Sequence, residues 1–349
     1  MEEKDKVKKS KKIKVGISQG DINGIGYEVI IKSLLDNRIF EQFTPILYGS
    51  SKVLTYHRKA INVNNFSMYN IKTPADANLK RANIINCLDD NIRVELGKST
   101  KMAGEASFLS LEKATDDLKN GLIDVLVTAP INKNNIQIEG FNFPGHTEYL
   151  KEKFGAEEVL MLMVSENLRV GVVTGHLPLK EVPATVSKEK ILNKLRILHH
   201  SLIQDFVVTN PRIAVLGLNP HAGDKGLLGS EEQDIIIPAI EAARNEGIMA
   251  LGPYAADGLF GSDDFSKFDA ILAMYHDQGL APFKALAFST GVNYTAGLPV
   301  VRTSPAHGTA FEIAGKGLAD EQSFRQAMFL AVDIFRNRKK YEEVSKNPL

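Results

Sequence analysis

A two-lobed α/β chain is the fold class that the sequence predicts, on three observations. Short apolar runs of strand length alternate with stretches of helical periodicity along most of the chain. At 349 residues the chain is too long for one small core and long enough for two α/β lobes. Beyond Glu157 two strand-like runs, EEVLMLMVSE and NLRVGVVTG, follow each other with no helix between them, which marks an antiparallel or mixed portion and a second lobe. The expected division is a discontinuous first domain over 13–150 plus 305–349 and a second over 151–304.

Composition narrows the function classes. Hydrophobic content of 44%, charged content of 24% and a formal net charge of zero describe a globular protein without a nucleic-acid-binding balance. The basic run MEEKDKVKKSKK lacks the apolar core of a signal peptide and reads as a frayed tail, with an RNA-binding or targeting arm as the alternative. Runs such as ILAM and VLMLMV are far short of a membrane span. Cys87 is the single cysteine, which excludes an intramolecular disulfide and a cysteine-based metal cluster and points to a cytoplasmic setting.

Taken in order, Ile13 to Ser18 is a short strand that runs into QGDINGIGYEVIIKSLL. Asp21, Asn23, Gly24 and Gly26 make a tight turn, after which Val29, Ile30, Ile31, Leu34 and Leu35 fall on one helical face. The glycine spacing is not the G-x-G-x-x-G dinucleotide fingerprint. Pro45 to Gly49 and a helix from Lys52 to Lys59 continue the alternation, and weak periodicity from Asn62 to Lys98 implies peripheral strands and turns. A helix over 103–120 places Ala106, Leu109, Ala114 and Leu118 on its apolar stripe, stops at Gly121 and feeds the strand DVLVTAP. The helix HTEYLKEKF opens with His146 and Thr147, placed to meet an anion, with a capping role for Thr147 as the competing reading. A helix from Lys188 to Phe206 carries His199 and His200 in register with Leu195, Leu198 and Leu202, so both are structural or surface residues, as is His57. Further helices are expected from Glu231 to Gly247 and from Asp320 to Phe335, the latter returning to the first sheet before a solvated charged tail beyond Arg336.

The chemistry concentrates between Asp269 and Gly317. The strand Ala270 to Met274 breaks into Tyr275, His276, Asp277 and Gln278, which is how a buried strand delivers polar groups to a site. Lys284, Asn293, Arg302 and His307 follow, too widely spaced for one helix, with Arg302 behind the strand-like LPVV. As a set they suit an anionic substrate and acid–base work. His176, His221 and His276 each follow an apolar strand, in VGVVTGH, IAVLGLNPH and AILAMYH. Sharing one crevice, they would ligate a divalent metal; otherwise they are hydrogen-bonded residues at three separate edges, and no short H-x-x-x-H spacing decides. Asp257, in a glycine-rich turn upstream of a short helix, is either an acid–base or orienting residue or a plain turn aspartate.

The motifs GDINGIGYE, TAPINK, PGHTEYL, VTGHLPL, GLNPHAGD, YHDQGLAPFK and NYTAGLPVVRTSPAHGTA together resemble the 4-hydroxythreonine-4-phosphate dehydrogenases of vitamin B6 biosynthesis, over nearly the whole chain after the basic tail. The resemblance implies an isocitrate/isopropylmalate dehydrogenase-like fold with the cofactor in a cleft between domains. It implies NAD, with NADP as the alternative, and one divalent ion, zinc, magnesium or cobalt, held by His176, His221 and His276 from both subunits of a homodimer. It further implies substrate binding by His146, Thr147, Lys284, Asn293 and Arg302, catalysis by Asp257 and Lys284, and cofactor binding by His307, Gly308, Thr309 and Ala310. The expected substrate is a phosphorylated hydroxy amino acid, 4-phosphooxy-L-threonine; a 4-phospho-threonate or 4-phospho-erythronate is the alternative. Three departures stand in the glycine turn, at Ile22, Asn23 and Tyr27, and a fourth at Ala306, where the family commonly has aspartate.

Overall fold

The computed structural model describes residues 12–346 apart from Asp90 and Glu139, so the basic N-terminal run lies outside the described residues up to position 11. Twelve strands form one sheet: β1 (Lys14–Ser18), β2 (Thr44–Gly49), β3 (Tyr69–Ile71), β4 (Asn83–Asn86), β5 (Val125–Thr128), β6 (Leu160–Val164), β7 (Arg169–Val172), β8 (Arg212–Leu216), β9 (Met249–Tyr254), β10 (Ala270–Ala273), β11 (Val292–Ala296) and β12 (Arg302–Pro305). Their order is β3-β4-β2-β1-β5-β12-β11-β6-β7-β10-β8-β9. The six strands from β3 to β12 run parallel, as do the four from β7 to β9. Between these blocks β11 is antiparallel to both β12 and β6, and β6 is antiparallel to β7. The back-to-back strands expected beyond Glu157 are this β6–β7 pair.

Alternation along each buried strand assigns side chains to two faces. Val125 and Val127 of β5 join the core that holds Phe324, Ala327 and Ala331, whereas Leu126 packs with Leu111, Ala114 and Leu118. Helix Gln322–Lys346 therefore covers one face of this half and helix Lys101–Lys119 the other. Side-chain caps set several helix starts: Ser50, Thr100 and Ser187 accept the N–H groups of Val53, Ala103 and Lys190.

Four expectations need correction. The last helix does not stop near Phe335 but continues to Lys346, because Arg338 is anchored: its Nε lies 2.7 Å from Asp205 Oδ1 and its Nη2 donates to the Tyr294 hydroxyl at 2.7 Å. LPVV is not a strand; Leu298–Val301 turns the chain and Arg302 opens β12. The helix expected from Glu231 begins as a π-helical turn, Glu232–Ile236, before the α-helix Ile237–Asn245. Asp257 sits inside the short helix Ala256–Phe260 and not in a turn ahead of it.

His57 is structural. It is wholly buried, stacks on Tyr27 with ring centroids 5.1 Å apart, and its Nε2 is 2.7 Å from the Ile22 carbonyl. Burial pushes its pKa down from 6.5 to about 4, against the weaker opposing pull of that carbonyl and of Glu28. Above pH 6.5 both folded and unfolded states are neutral at this group. As the pH falls from 6.5 toward 4 the unfolded chain takes up a proton that the folded chain refuses, so stability drops, by up to roughly 3 kcal/mol for this residue. Urea unfolding across this range is expected to show a smaller loss for His57→Phe than for the wild-type chain; equal losses would assign the acid sensitivity elsewhere.

Candidate active site

The cleft lies where the sheet changes direction. Its volume is about 260 Å³, and its walls come from residues far apart in the chain. Thr128 lies at the end of β5, Met161 and Met163 on β6, Asn293 on β11, and Arg302 and Ser304 on β12. His176 follows β7, His276 opens helix His276–Leu286 after β10, and Lys284 sits further along that helix. His146, Thr147 and Glu148 come from the first turn of helix His146–Lys153, and His307 and Gly308 from the loop after β12.

Arg302 is the dominant electrostatic feature. It is 2% exposed, and its guanidinium is held by hydroxyls: Nε donates to Thr128 Oγ1 at 3.1 Å and Nη1 to Thr295 Oγ1 at 3.2 Å. Among the described residues no carboxylate pairs with it; burial lowers its pKa to about 9, with only the more distant charge of Glu148 working the other way. A buried cation without a counter-charge is costly, and an anionic ligand relieves that cost. Asn293 Oδ1 and His146 Nε2 are also buried without hydrogen-bond partners among the described residues. Burial, reinforced by the charges of Arg302 and Lys133, holds the His146 pKa well below the ordinary histidine value, so its imidazole is neutral at physiological pH.

Two of the three strand-end histidines meet here. The rings of His176 and His276 are 5.4 Å apart between centroids. His276 Nδ1 is 2.7 Å from Asp277 Oδ1, the arrangement that orients an imidazole and leaves Nε2 free for a ligand. Lys133 Nζ is 3.2 Å from His176 Nε2 and donates to it. His221 does not line the cleft: it is exposed and starts a run from His221 to Lys225 in which every residue has positive φ, 53° at His221 itself. No group of three or more His, Cys, Asp or Glu in metal-holding geometry occurs among the described residues. One chain thus places two imidazoles side by side, with no third metal-holding donor beside them among the described residues. Asp257 is exposed and also lies off the cleft.

The loop from His307 to Ala310 divides. His307 and Gly308 face the cleft, His307 Nε2 is buried without a partner, and open space surrounds Gly308 where a side chain would begin. Thr309 turns away and accepts the Ile25 N–H at 3.0 Å, so the glycine turn backs this loop. A side chain at Gly24 would begin 2.8 Å from the Thr309 carbonyl oxygen, hence the glycine. The unusual residues of that turn are structural: the Tyr27 hydroxyl donates to Gln19 Oε1 at 2.5 Å and accepts the Ser50 N–H at 2.9 Å. Asn23 accepts the Glu95 N–H and donates to the Lys98 carbonyl.

The family model described as pyridoxal phosphate biosynthetic protein PdxA matches residues 41–331. The chain belongs to the PdxA family. Among its relatives, a 4-hydroxythreonine-4-phosphate dehydrogenase of Bacteroides thetaiotaomicron is 57% identical over 340 residues, covering 97% of this chain and 93% of the relative. A D-threonate 4-phosphate dehydrogenase of Cupriavidus necator is 40% identical, covering 93% of this chain and 98% of its own. The crystal structure of the 4-hydroxythreonine-4-phosphate dehydrogenase from Klebsiella pneumoniae superposes with a TM-score of 0.81 at 33% identity, over 93% of this chain and 100% of that one. Likeness of architecture alone extends to an isocitrate dehydrogenase of Methylococcus capsulatus, at a TM-score of 0.50 and 11% identity over 96% of this chain and 89% of that one. A dehydrogenase of the PdxA family implies a nicotinamide cofactor. No described helix is long and apolar enough to cross a membrane.

Sequence reasoning missed Lys133 and Glu148 as parts of this PdxA cleft. Lys133 stands in TAPINK directly after β5, and a cation at a strand end beside a presumed anion site was the available signal. Glu148 looks in sequence like any acidic residue in a first helical turn.

Proposed function

We propose that this chain oxidises 4-phosphooxy-L-threonine with NAD to 2-amino-3-oxo-4-(phosphooxy)butanoate, which loses carbon dioxide to give 3-amino-2-oxopropyl phosphate, a step in pyridoxal phosphate formation in the cytoplasm. The observation that carries this reading is Arg302, a buried guanidinium with no carboxylate partner among the described residues, in a cleft that also presents Lys284 and the first turn of helix His146–Lys153. Phosphate oxygens satisfy such donors in pairs. Neutral His146 and the free Oδ1 of Asn293 are suited to hydrogen-bonding the substrate's other polar groups.

A divalent ion, zinc, magnesium or cobalt, held by His176, His276 and a third donor, would polarise the C3 hydroxyl and lower its pKa. Lys284, on the cleft wall, is the nearest of the expected catalytic residues for handling the released proton; the acid–base role of Asp257 rests on the family resemblance alone. His307 and Gly308 would bear on the nucleotide, NAD or NADP, with Thr309 and Ala310 shaping the loop behind them. The two lobes, 13–150 with 305–349 and 151–304, would meet beside the substrate at the β5–β12 junction.

The cleft's incomplete donor set supports a homodimer with a composite site, a second copy supplying His221. Because His176 and His276 lie together in one chain, mixing His176→Ala and His276→Ala chains is expected to restore nothing. Mixing either with His221→Ala should restore one intact site per mixed dimer. Restoration by the first pair, or none by the second, would refute this sharing.

The second reading is D-threonate 4-phosphate oxidation, favoured by the name of the 40%-identical relative. The reaction itself is tested with purified protein, metal, NAD and 4-phosphooxy-L-threonine, measuring NADH and carbon dioxide together. Equal yields of the two are expected; NADH without carbon dioxide, or no NADH at all, would count against it.

A further inference from the structure

We propose that Glu232 is the positioning residue for His221: its carboxylate clamps the loop that carries this histidine and so presents the imidazole to a second copy of the chain. This rests on the shared site proposed above. Glu232 is 1% exposed and opens the π-helical turn Glu232–Ile236. Its carboxylate reaches away from that turn, back to the loop after β8. Oε1 accepts the N–H groups of Leu218 and Asn219, each at 2.7 Å, and Oε2 accepts the side-chain amide of Asn219 at 3.0 Å. A side chain at Gly223 would collide with Oε2, and one at Gly217 would begin 3.0 Å from Oε1, so the loop closes around this carboxylate from both ends.

The loop needs such a clamp. His221 to Lys225 are five consecutive residues with positive φ, and four of them carry side chains that disfavour it. A backbone of this kind persists only where its surroundings over-determine it. Glu232 grips the segment just ahead of the turn. At the root of the loop the Gln278 side chain donates to the Gly217 carbonyl at 2.7 Å and accepts the Met274 N–H at 2.7 Å, which ties the loop to the end of β10. The result is an exposed His221 imidazole that makes no hydrogen bond among the described residues. Leu227 and Leu228, 78% and 42% exposed, follow the turn directly. An apolar shoulder beside an unengaged metal-ligating side chain suits burial against a second copy.

A purely structural role for Glu232 makes a different prediction from a positioning role. If Glu232 acts through His221, its loss removes a donor from the partner's site and leaves the His176–His276 pair of its own chain intact. In mixed dimers a Glu232 variant then behaves as His221→Ala does. General damage to the fold would spoil both sites with every partner.

The test uses co-expressed chains with two different affinity tags, purified through both, and reads bound zinc after dialysis together with NADH formation from 4-phosphooxy-L-threonine and NAD. Melting temperature checks folding. As a homodimer, Glu232→Ala is expected to hold zinc roughly ten- to hundredfold more weakly. Glu232→Gln, which keeps an oxygen for the two N–H groups, should retain most of the affinity. Pairing Glu232→Ala with His276→Ala should regain one zinc-holding, active site per dimer, and pairing it with His221→Ala should regain none. Gly223→Ala, which pushes on the carboxylate from the loop side, is expected to fall in the same group and serves if Glu232→Ala does not fold. Wild-type zinc affinity in both variants, restoration by His221→Ala, or no restoration by His276→Ala would overturn the assignment while the control pair, His221→Ala with His276→Ala, still restores a site. A control pair that restores nothing would overturn the sharing of sites and this assignment with it.

Discussion

Arg302→Met is expected to lower kcat/KM for the phosphorylated substrate by roughly ten- to hundredfold, since a hydrogen bond to a charged group is worth about 1.5–3 kcal/mol. The same substitution is expected to raise the melting temperature of the ligand-free protein. Both effects have one origin. The guanidinium is 2% exposed, held by the hydroxyls of Thr128 and Thr295, and has no carboxylate partner among the described residues. Its isolation costs stability until an anion arrives, and methionine of similar length removes that cost together with the binding site. Steady-state kinetics separates two modes of action: a rise in KM alone marks uniform binding, and a fall in kcat marks phosphate binding that also aligns C3. A substrate analogue without phosphate should be poor with the wild-type chain and hardly worse with the variant. The same loss with and without phosphate would remove Arg302 from the phosphate site.

His176→Ala and His276→Ala carry the second large effect. Each is expected to weaken retention of a divalent ion by at least about a hundredfold, the upper end of what loss of a mere orienting partner costs, and to reduce turnover in parallel. The rings lie 5.4 Å apart between centroids, and the Nδ1 of His276 is engaged by Asp277, which leaves its other nitrogen for the ion. Asp277→Asn should show a milder loss of metal, because it disturbs orientation and not ligation. Metal content after dialysis is the measurement, with circular dichroism as the check on folding. Retention of wild-type metal content and activity in both alanine variants would end the metal assignment.

The sequence disclosed the walls of the cleft better than its joints. Lys284, Asn293, Arg302 and His307 were readable together because they follow a buried strand that ends in the polar run Tyr275–Gln278 and are too widely spaced for one helix. Where Arg302 sits in its strand was not readable: LPVV has the β-branched composition of a strand, yet pairing begins only at Arg302, and register depends on partners that composition does not name. His221 was found by its strand, but the run of positive φ values that follows involves His, Ala, Asp and Lys, residues that seldom adopt them, and so left no trace in the sequence. The solvated tail was misjudged for a similar reason, since Arg338 looks like a surface cation until Asp205 and Tyr294 are seen across from it. Lys133 and Glu148 carried local explanations, a turn and a helix start, that concealed their place in the cleft.

The most direct measurement is the ratio of kcat/KM for 4-phosphooxy-L-threonine to that for D-threonate 4-phosphate, followed as NADH formation with one saturating metal ion. The wild-type chain is expected to prefer the amino acid by about tenfold or more, roughly 1.4 kcal/mol in transition-state free energy. A preference of that size for the threonate would contradict the proposed function and place the chain with the D-threonate 4-phosphate dehydrogenases.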